Sequence, residues 1–157
     1  MRIGHSMDIH PFDNGRRLVL GGIAIDHIGL KGHSDADVLL HVVAESILGA
    51  LALGDLGSHF PDSDAQYRNK PSSFFVVKVV ELMEEQNYKI SNIDCMVITE
   101  TPRLSSYKQQ IQANIASLLQ CDSSQVSIKA TTAEGMGFIG RGEGMLATAT
   151  VLLVERD

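Results

Sequence analysis

Stretches that alternate in side-chain type and stretches with helical spacing follow one another along this chain without strict alternation, and that order is its tightest constraint on fold. Alternation every second residue suits a strand with one buried face, whereas apolar residues three and four apart suit a helix with one buried stripe. The first pattern predicts strands at residues 2–9, 18–25, 88–99, 126–131 and 145–154, the last after a glycine cluster. The second predicts helices from Asp35 to about Ala52, from Ser72 or Ser73 to about Gln86, and from Ser105 or Ser106 to about Leu119. Each begins at a residue able to cap it. A doubly wound parallel sheet needs β and α units in regular succession, which this chain lacks. The order fits an α+β fold, a two-layer sandwich with helices on one face of a mixed β-sheet. A length of 157 residues fits a single domain, 1-157, and 44% hydrophobic residues suffice for a core without disulfides.

Charge narrows the ligands. The net charge is −6 and the 13 Lys and Arg are scattered, so there is no basic stripe for nucleic acid. No apolar run is long enough to span a membrane. An acidic chain that binds an anion recruits divalent metal or helix N-termini to offset the repulsion. Cys95 and Cys121 are the only cysteines and read as reduced thiols. The opening MRIGHSMDIH reads directly as a strand with no signal sequence ahead of it. A cytoplasmic (bacterial) setting is expected, or a plastid-type organelle after removal of a targeting peptide. Residues 54–71, rich in Gly, Pro, Asp and Ser, form the one long non-periodic segment, either a ligand lid or a plain surface excursion.

Asp8 and His10 are two apart, so on a strand both leave the same face and can converge on one ion. His41 lies in the strongest amphipathic helix, with Asp37 one turn before it and Glu45 one turn after. That stripe is either a solvated helix face or part of a site. Two histidines and one carboxylate make a three-ligand set of the kind that holds Zn2+ with a fourth position open for chemistry. His33 and Ser34, just before the helix, could donate hydrogen bonds to a phosphate there. No glycine-rich stretch ends in Gly-Lys-Ser/Thr, which excludes a P-loop.

Several longer motifs occur in a fixed order: RIGHSMDIH at the start, LGG at residues 20–22, HSDADVLLH at 33–41, LGDLGSHFPDSD at 53–64 and KATTAEGMGFIGRGEG at 129–144. Together they resemble the 2-C-methyl-D-erythritol 2,4-cyclodiphosphate synthase family of non-mevalonate isoprenoid biosynthesis. The resemblance implies a homotrimer with active sites between subunits, each subunit turning a four-stranded sheet to the threefold axis with its helices outside. It implies one Zn2+ per subunit at Asp8, His10 and His41, and a second ion, Mg2+ or Mn2+, at Glu134. The implied substrate is 4-diphosphocytidyl-2-C-methyl-D-erythritol 2-phosphate, which cyclises with release of CMP. His33, Thr132 and Glu134 would be the catalytic residues. His33 and Ser34 would meet the methylerythritol phosphate, beside the metal ligands Asp8 and His10, and Asp62 would bind its hydroxyls. Asp55 and Gly57 would hold the ribose. Thr99, Pro102, Arg103 and Leu104 would form the cytosine pocket, with Ala130, Thr131 and Thr132 beside them. Phe138 and Arg141 would line an axial cavity able to take an isoprenoid diphosphate.

The chain departs from the usual family pattern at Ser6-Met7, where Gly-Phe is common, at Ala36, where Gly is common, and at Glu45, where Asp is common. A metal-dependent phosphohydrolase and a non-catalytic isoprenoid diphosphate-binding trimer are the alternative readings.

Overall fold

The computed structural model describes residues 1–61 and 63–156. A five-stranded sheet is built from β1 (Arg2–Leu20), β2 (Ile23–Leu30), β3 (Tyr88–Ile98), β4 (Val126–Thr131) and β5 (Gly144–Glu155), in the order β2-β1-β5-β3-β4. All neighbours are antiparallel except β3 and β4. That parallel pair needs a crossover, which α4 (Lys108–Leu118) supplies. The sheet is therefore mixed, as the order of patterns predicts.

The strand expected over residues 18–25 is instead a turn with a strand on either side. Gly21 and Gly22 both have positive φ, 58° and 77°, and join Leu20 to its partner Ile23. Two consecutive residues with positive φ make the tight hairpin whose twist matches antiparallel strands, and glycine adopts it without penalty. The chain before the turn is one strand of 19 residues, more than twice the expected length. Its first half, Arg2 to Pro11, pairs with β5, and its second half pairs with β2. Register shifts around Arg17 absorb the extra residues. β2 thus joins the four strands implied by the resemblance as a fifth, hairpin-borne member.

Helix α1 (Val38–Leu51) is buried along most of its surface against β1, β5 and α3 (Ser72–Glu85). Its unburied positions are His41, Glu45 and Gly49, spaced four apart along one narrow stripe. Asp37, expected on that stripe, is fully buried and is the N-cap; its side chain accepts from Leu40 N–H. Asp35, expected to cap this helix, instead holds the start of α3. The same Asp37 carboxylate accepts from Gly21 N–H at 2.9 Å and Gly22 N–H at 2.6 Å, so one side chain fixes both the hairpin tip and the helix start. Burial pushes its carboxyl up to about 6 against the hydrogen bonds from Leu40, Gly22 and Gly21 that favour its anion. At Gly4, β1 and α1 approach so closely that a Cβ would stand 1.8 Å from Ser46 O and 2.6 Å from Ala50 N.

Met145, Ala147, Ala149, Val151 and Leu153 of β5 are fully buried in the core. Alternate residues of β1 emerge on the other face, where Ile3 is 72%, Met7 59% and Ile9 40% exposed. Helix α3 begins and ends where its spacing predicts. Helix α4 starts at Lys108, after a turn through Ser105, Ser106 and Tyr107. The segment 54–71 is not structureless: it contains α2 (Leu56–His59) and a 3-10 turn at Ala65–Tyr67. The Phe60, Tyr67 and Phe75 rings, 5.1–6.2 Å apart, hold it on α3. Cys95 and Cys121 are free thiols, and burial pushes the Cys95 thiol up to about 12.

Candidate metal centre and its cavities

β1 presents Asp8 and His10 on the face turned toward α1, and α1 presents His41 from its unburied stripe. The strand and the helix so bring together residues 33 positions apart in the chain. Asp8 Oδ2 lies 2.9 Å from His10 Nε2 and 3.3 Å from His41 Nδ1. One donor atom from each of the three residues falls within 4.8 Å of the other two, and among the described residues no other such group occurs. The spacing of Asp8 and His10 predicts their convergence; their meeting with His41 comes from the packing of α1 on β1, which is close at Gly4. Burial by itself would raise the Asp8 carboxyl. Hydrogen bonds to His10 and His41, the His10 charge and the Ile9 N–H override it and hold the group well below the usual carboxylate range. A carboxylate and two imidazoles, all half-buried and open on one side, fit a borderline divalent ion with a free position.

The two histidines are oriented differently. His10 Nδ1 is buried with no hydrogen-bond partner among the described residues. Its ring edge lies against Gly32, where a Cβ would come within 3.3 Å of Nδ1. Packing sets this ring. His41 Nε2, by contrast, lies 3.1 Å from Ser72 Oγ at the start of α3.

The triad forms one wall of a cavity of 560 Å3 that His33, Ser34, Glu45, Gly57, Tyr67 and Arg68 also line. His33 and Ser34 therefore stand where the sequence places them, beside the metal ligands. Arg16, from the hairpin, donates to the carbonyls of Gly32 and Ser34, and Ser34 Oγ donates to Lys70 O. Ala36, at the position where Gly is common, has φ of 52°, which accounts for that preference. Two of the other departures, Ser6 and Glu45, meet: Ser6 Oγ donates to Glu45 Oε2 at 2.9 Å, while Met7 lies exposed on the opposite face of β1. The longer carboxylate is tied to β1 and stands outside the donor group. Asp55 caps α2, accepting from Ser58 N–H at 2.8 Å and Ser58 Oγ at 2.6 Å, and those bonds lower its carboxyl. Leu56 and Gly57, just after it, reach the cavity. Asp62 lies outside the described residues.

A second cavity, of 370 Å3, brings together Thr99, Pro102, Arg103 and Leu104 with Ala130, Thr131 and Thr132, two segments joined by the β3–β4 pairing. Among the described residues it shares no lining residue with the first. Beyond it, Glu134 has φ of 52° in an exposed turn, its N–H donating to Thr132 Oγ1 at 3.3 Å. Glu100 fastens this turn by accepting from Ala133 N–H at 2.9 Å. Phe138 and Arg141 follow on and just after α5 (Gly137–Gly140), with Phe138 44% exposed and Arg141 Nε donating to Glu143 at 2.5 Å. The sequence assigns no site role to Arg16 or Glu100, and marks Asp35 and Ser72 only as helix starts. All four act by holding another residue or loop, and spacing within one element cannot disclose that.

The YgbB family model matches residues 1–154. A protein of Syntrophomonas wolfei named 2-C-methyl-D-erythritol 2,4-cyclodiphosphate synthase is 49% identical over 156 residues, covering 99% of this chain and 99% of its own. One of the same name from Lysinibacillus sphaericus is 46% identical with the same coverage. Among solved structures, the bifunctional IspDF from Campylobacter jejuni matches with a TM-score of 0.95 at 40% identity, over 99% of this chain and 42% of that one. This chain thus spans less than half of that bifunctional protein. The CDP complex of IspF from Plasmodium falciparum matches with a TM-score of 0.88 at 35% identity, over 99% and 97%. With its sequence matched almost end to end and its mixed α+β fold shared with these structures, the chain belongs to the YgbB family.

Proposed function

We propose that this chain is a cyclodiphosphate synthase: the 2-phosphate of 4-diphosphocytidyl-2-C-methyl-D-erythritol 2-phosphate attacks the β-phosphorus, the bond from that phosphorus to the bridging oxygen breaks, and CMP leaves carrying that oxygen. The observation that carries the reading is the convergence of Asp8, His10 and His41 on a cavity that His33, Ser34 and Gly57 also line. Its occurrence in a chain 49% identical to a relative of that name supports the same substrate.

The chemistry asks little of a protein base. A phosphate monoester with a second pKa of about 6 is already mostly a dianion at neutral pH, and CMP leaves as a stable anion. The difficulty is to hold negative groups in line, and fixing an intramolecular attack geometry can supply up to about 7–11 kcal/mol. In this reading Asp8, His10 and His41 hold Zn2+, and Glu134 holds Mg2+ or Mn2+. The bound ions supply positive charge that polarises and neutralises phosphate oxygens. His33 and Ser34 orient the attacking phosphate, and Thr132 orients the diphosphate. Asp62 takes the methylerythritol hydroxyls. Asp55 and Gly57 face the ribose, and the cavity at Thr99, Pro102, Arg103, Leu104, Ala130 and Thr131 takes the cytosine.

The cavities share no lining residue among the described residues, which supports an active site shared between neighbours in a homotrimer. The uncovered apolar face at Ile3, Met7 and Ile9 supports burial of that face at the threefold axis. Phe138 and Arg141 would then line an axial cavity for an isoprenoid diphosphate. Phosphorus NMR of the reaction, with elemental analysis of the purified protein, tests the assignment. Formation of a cyclic diphosphate with CMP, on protein that carries zinc, is expected. Open phosphates would mark a hydrolase, and binding without turnover a non-catalytic module; either outcome overturns the proposal.

A further inference from the structure

We propose that Ser72 and Asp35 form a positioning relay that fixes His41 as a metal ligand through its Nδ1 atom, tying the start of α3 to the metal centre. The inference rests on the triad holding a metal and is independent of the reaction performed there.

The geometry is one connected line. Asp35 Oδ1 lies 2.5 Å from Ser72 Oγ, and Ser72 Oγ lies 3.1 Å from His41 Nε2. Ser72 is 1% exposed, so water does not compete at its hydroxyl. A serine hydroxyl has one proton, and the short contact to a carboxylate, which can only accept, assigns that proton to Asp35. The oxygen can then only accept from His41, which puts the imidazole proton on Nε2. Nδ1, which lies 3.3 Å from Asp8 Oδ2 and in the metal-free protein can donate a proton to it, is then the nitrogen whose proton a bound ion would replace, where the other ligand atoms converge. A ligating histidine is oriented by the partner of its other nitrogen, and the carboxylate behind that partner raises ligand basicity.

The relay crosses between elements. Asp35 also accepts from Ser72 N–H, at 3.1 and 3.2 Å, so these contacts pin the first residue of α3 to the loop before α1. Ser34 Oγ donates to Lys70 O in the same seam. The cavity wall at Tyr67 and Arg68 leads directly into it. His10, set by packing on Gly32, has no counterpart to this relay among the described residues.

Ser72→Ala removes the hydroxyl and leaves the backbone N–H on Asp35, so the attachment of α3 is retained while the relay is cut. Zinc affinity of the purified chain is measured by competition with a chromophoric chelator, and the His41 ring nitrogens are followed by long-range proton–nitrogen NMR of the zinc-loaded protein. The expected result is affinity weakened about 10–100-fold, with loss of the slowly exchanging Nε2 proton. Asp35→Asn should weaken affinity by less, in the same direction, because the acceptor remains but its charge is gone. Melting of the metal-free variants, unchanged within a few degrees, separates positioning from folding. Ser72→Ala protein that binds zinc within twofold of wild type overturns the relay, as does weakened affinity with the Nε2 proton signal unaltered. Wild-type protein that binds no zinc overturns the metal reading together with the relay.

Discussion

Replacing Gly4 by alanine tests whether the contact between β1 and α1 builds the metal centre. An added Cβ would stand 1.8 Å from Ser46 O, where ordinary contact begins at 3.4 Å, so strand and helix must part by about 1.6 Å. The obstructing atoms are helix backbone, so no side-chain rotation relieves the clash. Overpacking of this kind costs typically about 1–3 kcal/mol. For a chain of this size that lowers the melting temperature by about 2–12 °C. The displacement also falls on the site: β1 carries Asp8 and His10, α1 carries His41, and only 3.3 Å separates Asp8 Oδ2 from His41 Nδ1. Zinc affinity should therefore fall together with stability. Differential scanning calorimetry of the metal-free protein, beside zinc titration against a competing chelator, reads both effects. Gly4→Ala protein with wild-type melting and wild-type zinc affinity would refute the claim that backbone contact sets the ligand geometry.

His41→Ala should lose bound zinc and cyclisation while the proposed trimer persists in light scattering; normal turnover by metal-analysed mutant protein would remove zinc from the proposed mechanism. Glu134→Gln should keep zinc but raise the Mg2+ or Mn2+ concentration needed for half-maximal rate, and an unchanged metal dependence would count against a second ion there. Asp37 gives a pH prediction. Its carboxyl rises from 3.8 to about 6 on folding, so the folded state keeps a proton that the unfolded chain releases, and stability falls as pH rises through that window. The shift corresponds to at most about 3 kcal/mol. Asp37→Asn should be less stable at pH 4, because its amide group faces one of the N–H donors, and should lack this slope between pH 4 and 7. Parallel melting curves for the two proteins across that range would show that Asp37 does not titrate on folding.

The parts of the fold governed by local pattern were legible. The alternation in β4 and the spacing in α3 gave their limits directly, and the mixed sheet follows from the order of elements. The first hairpin was not, because apolar residues continue through LVLGGIAI and the turn depends on two glycines. Asp35 and Asp37 are equally good caps on paper; which of them caps α1 is decided by what else each must hold, the start of α3 or the hairpin tip. At the site, Asp8 and His10 follow from strand periodicity. Their meeting with His41 comes from the packing of α1 on β1, which spacing along the chain does not show; Ser72 comes from α3, and Arg16, though on β1 itself, acts on the loop carrying Ser34. Glu45 illustrates the same limit. Its position beside His41 was readable, but its bond to Ser6 was not, and that bond keeps it out of the donor group.

The long β1 strand changes partners just after the two ligands it carries. Up to Pro11 its hydrogen bonds run to β5, and from Phe12 onward its ladder is with β2. Asp8 and His10 thus lie at a fulcrum, with the anchored sheet on one side and the hairpin on the other. The hairpin is no loose flap: Asp37 and Asn114 hold its tip, and Arg16 grips the loop that carries Ser34. Bending of the arm is therefore transmitted to the strand carrying Asp8 and His10 and to the loop carrying Ser34 at once. Changes in arm length or stiffness among relatives should act as a remote adjustment of the centre, altering how the two halves of the cavity align without touching a ligand.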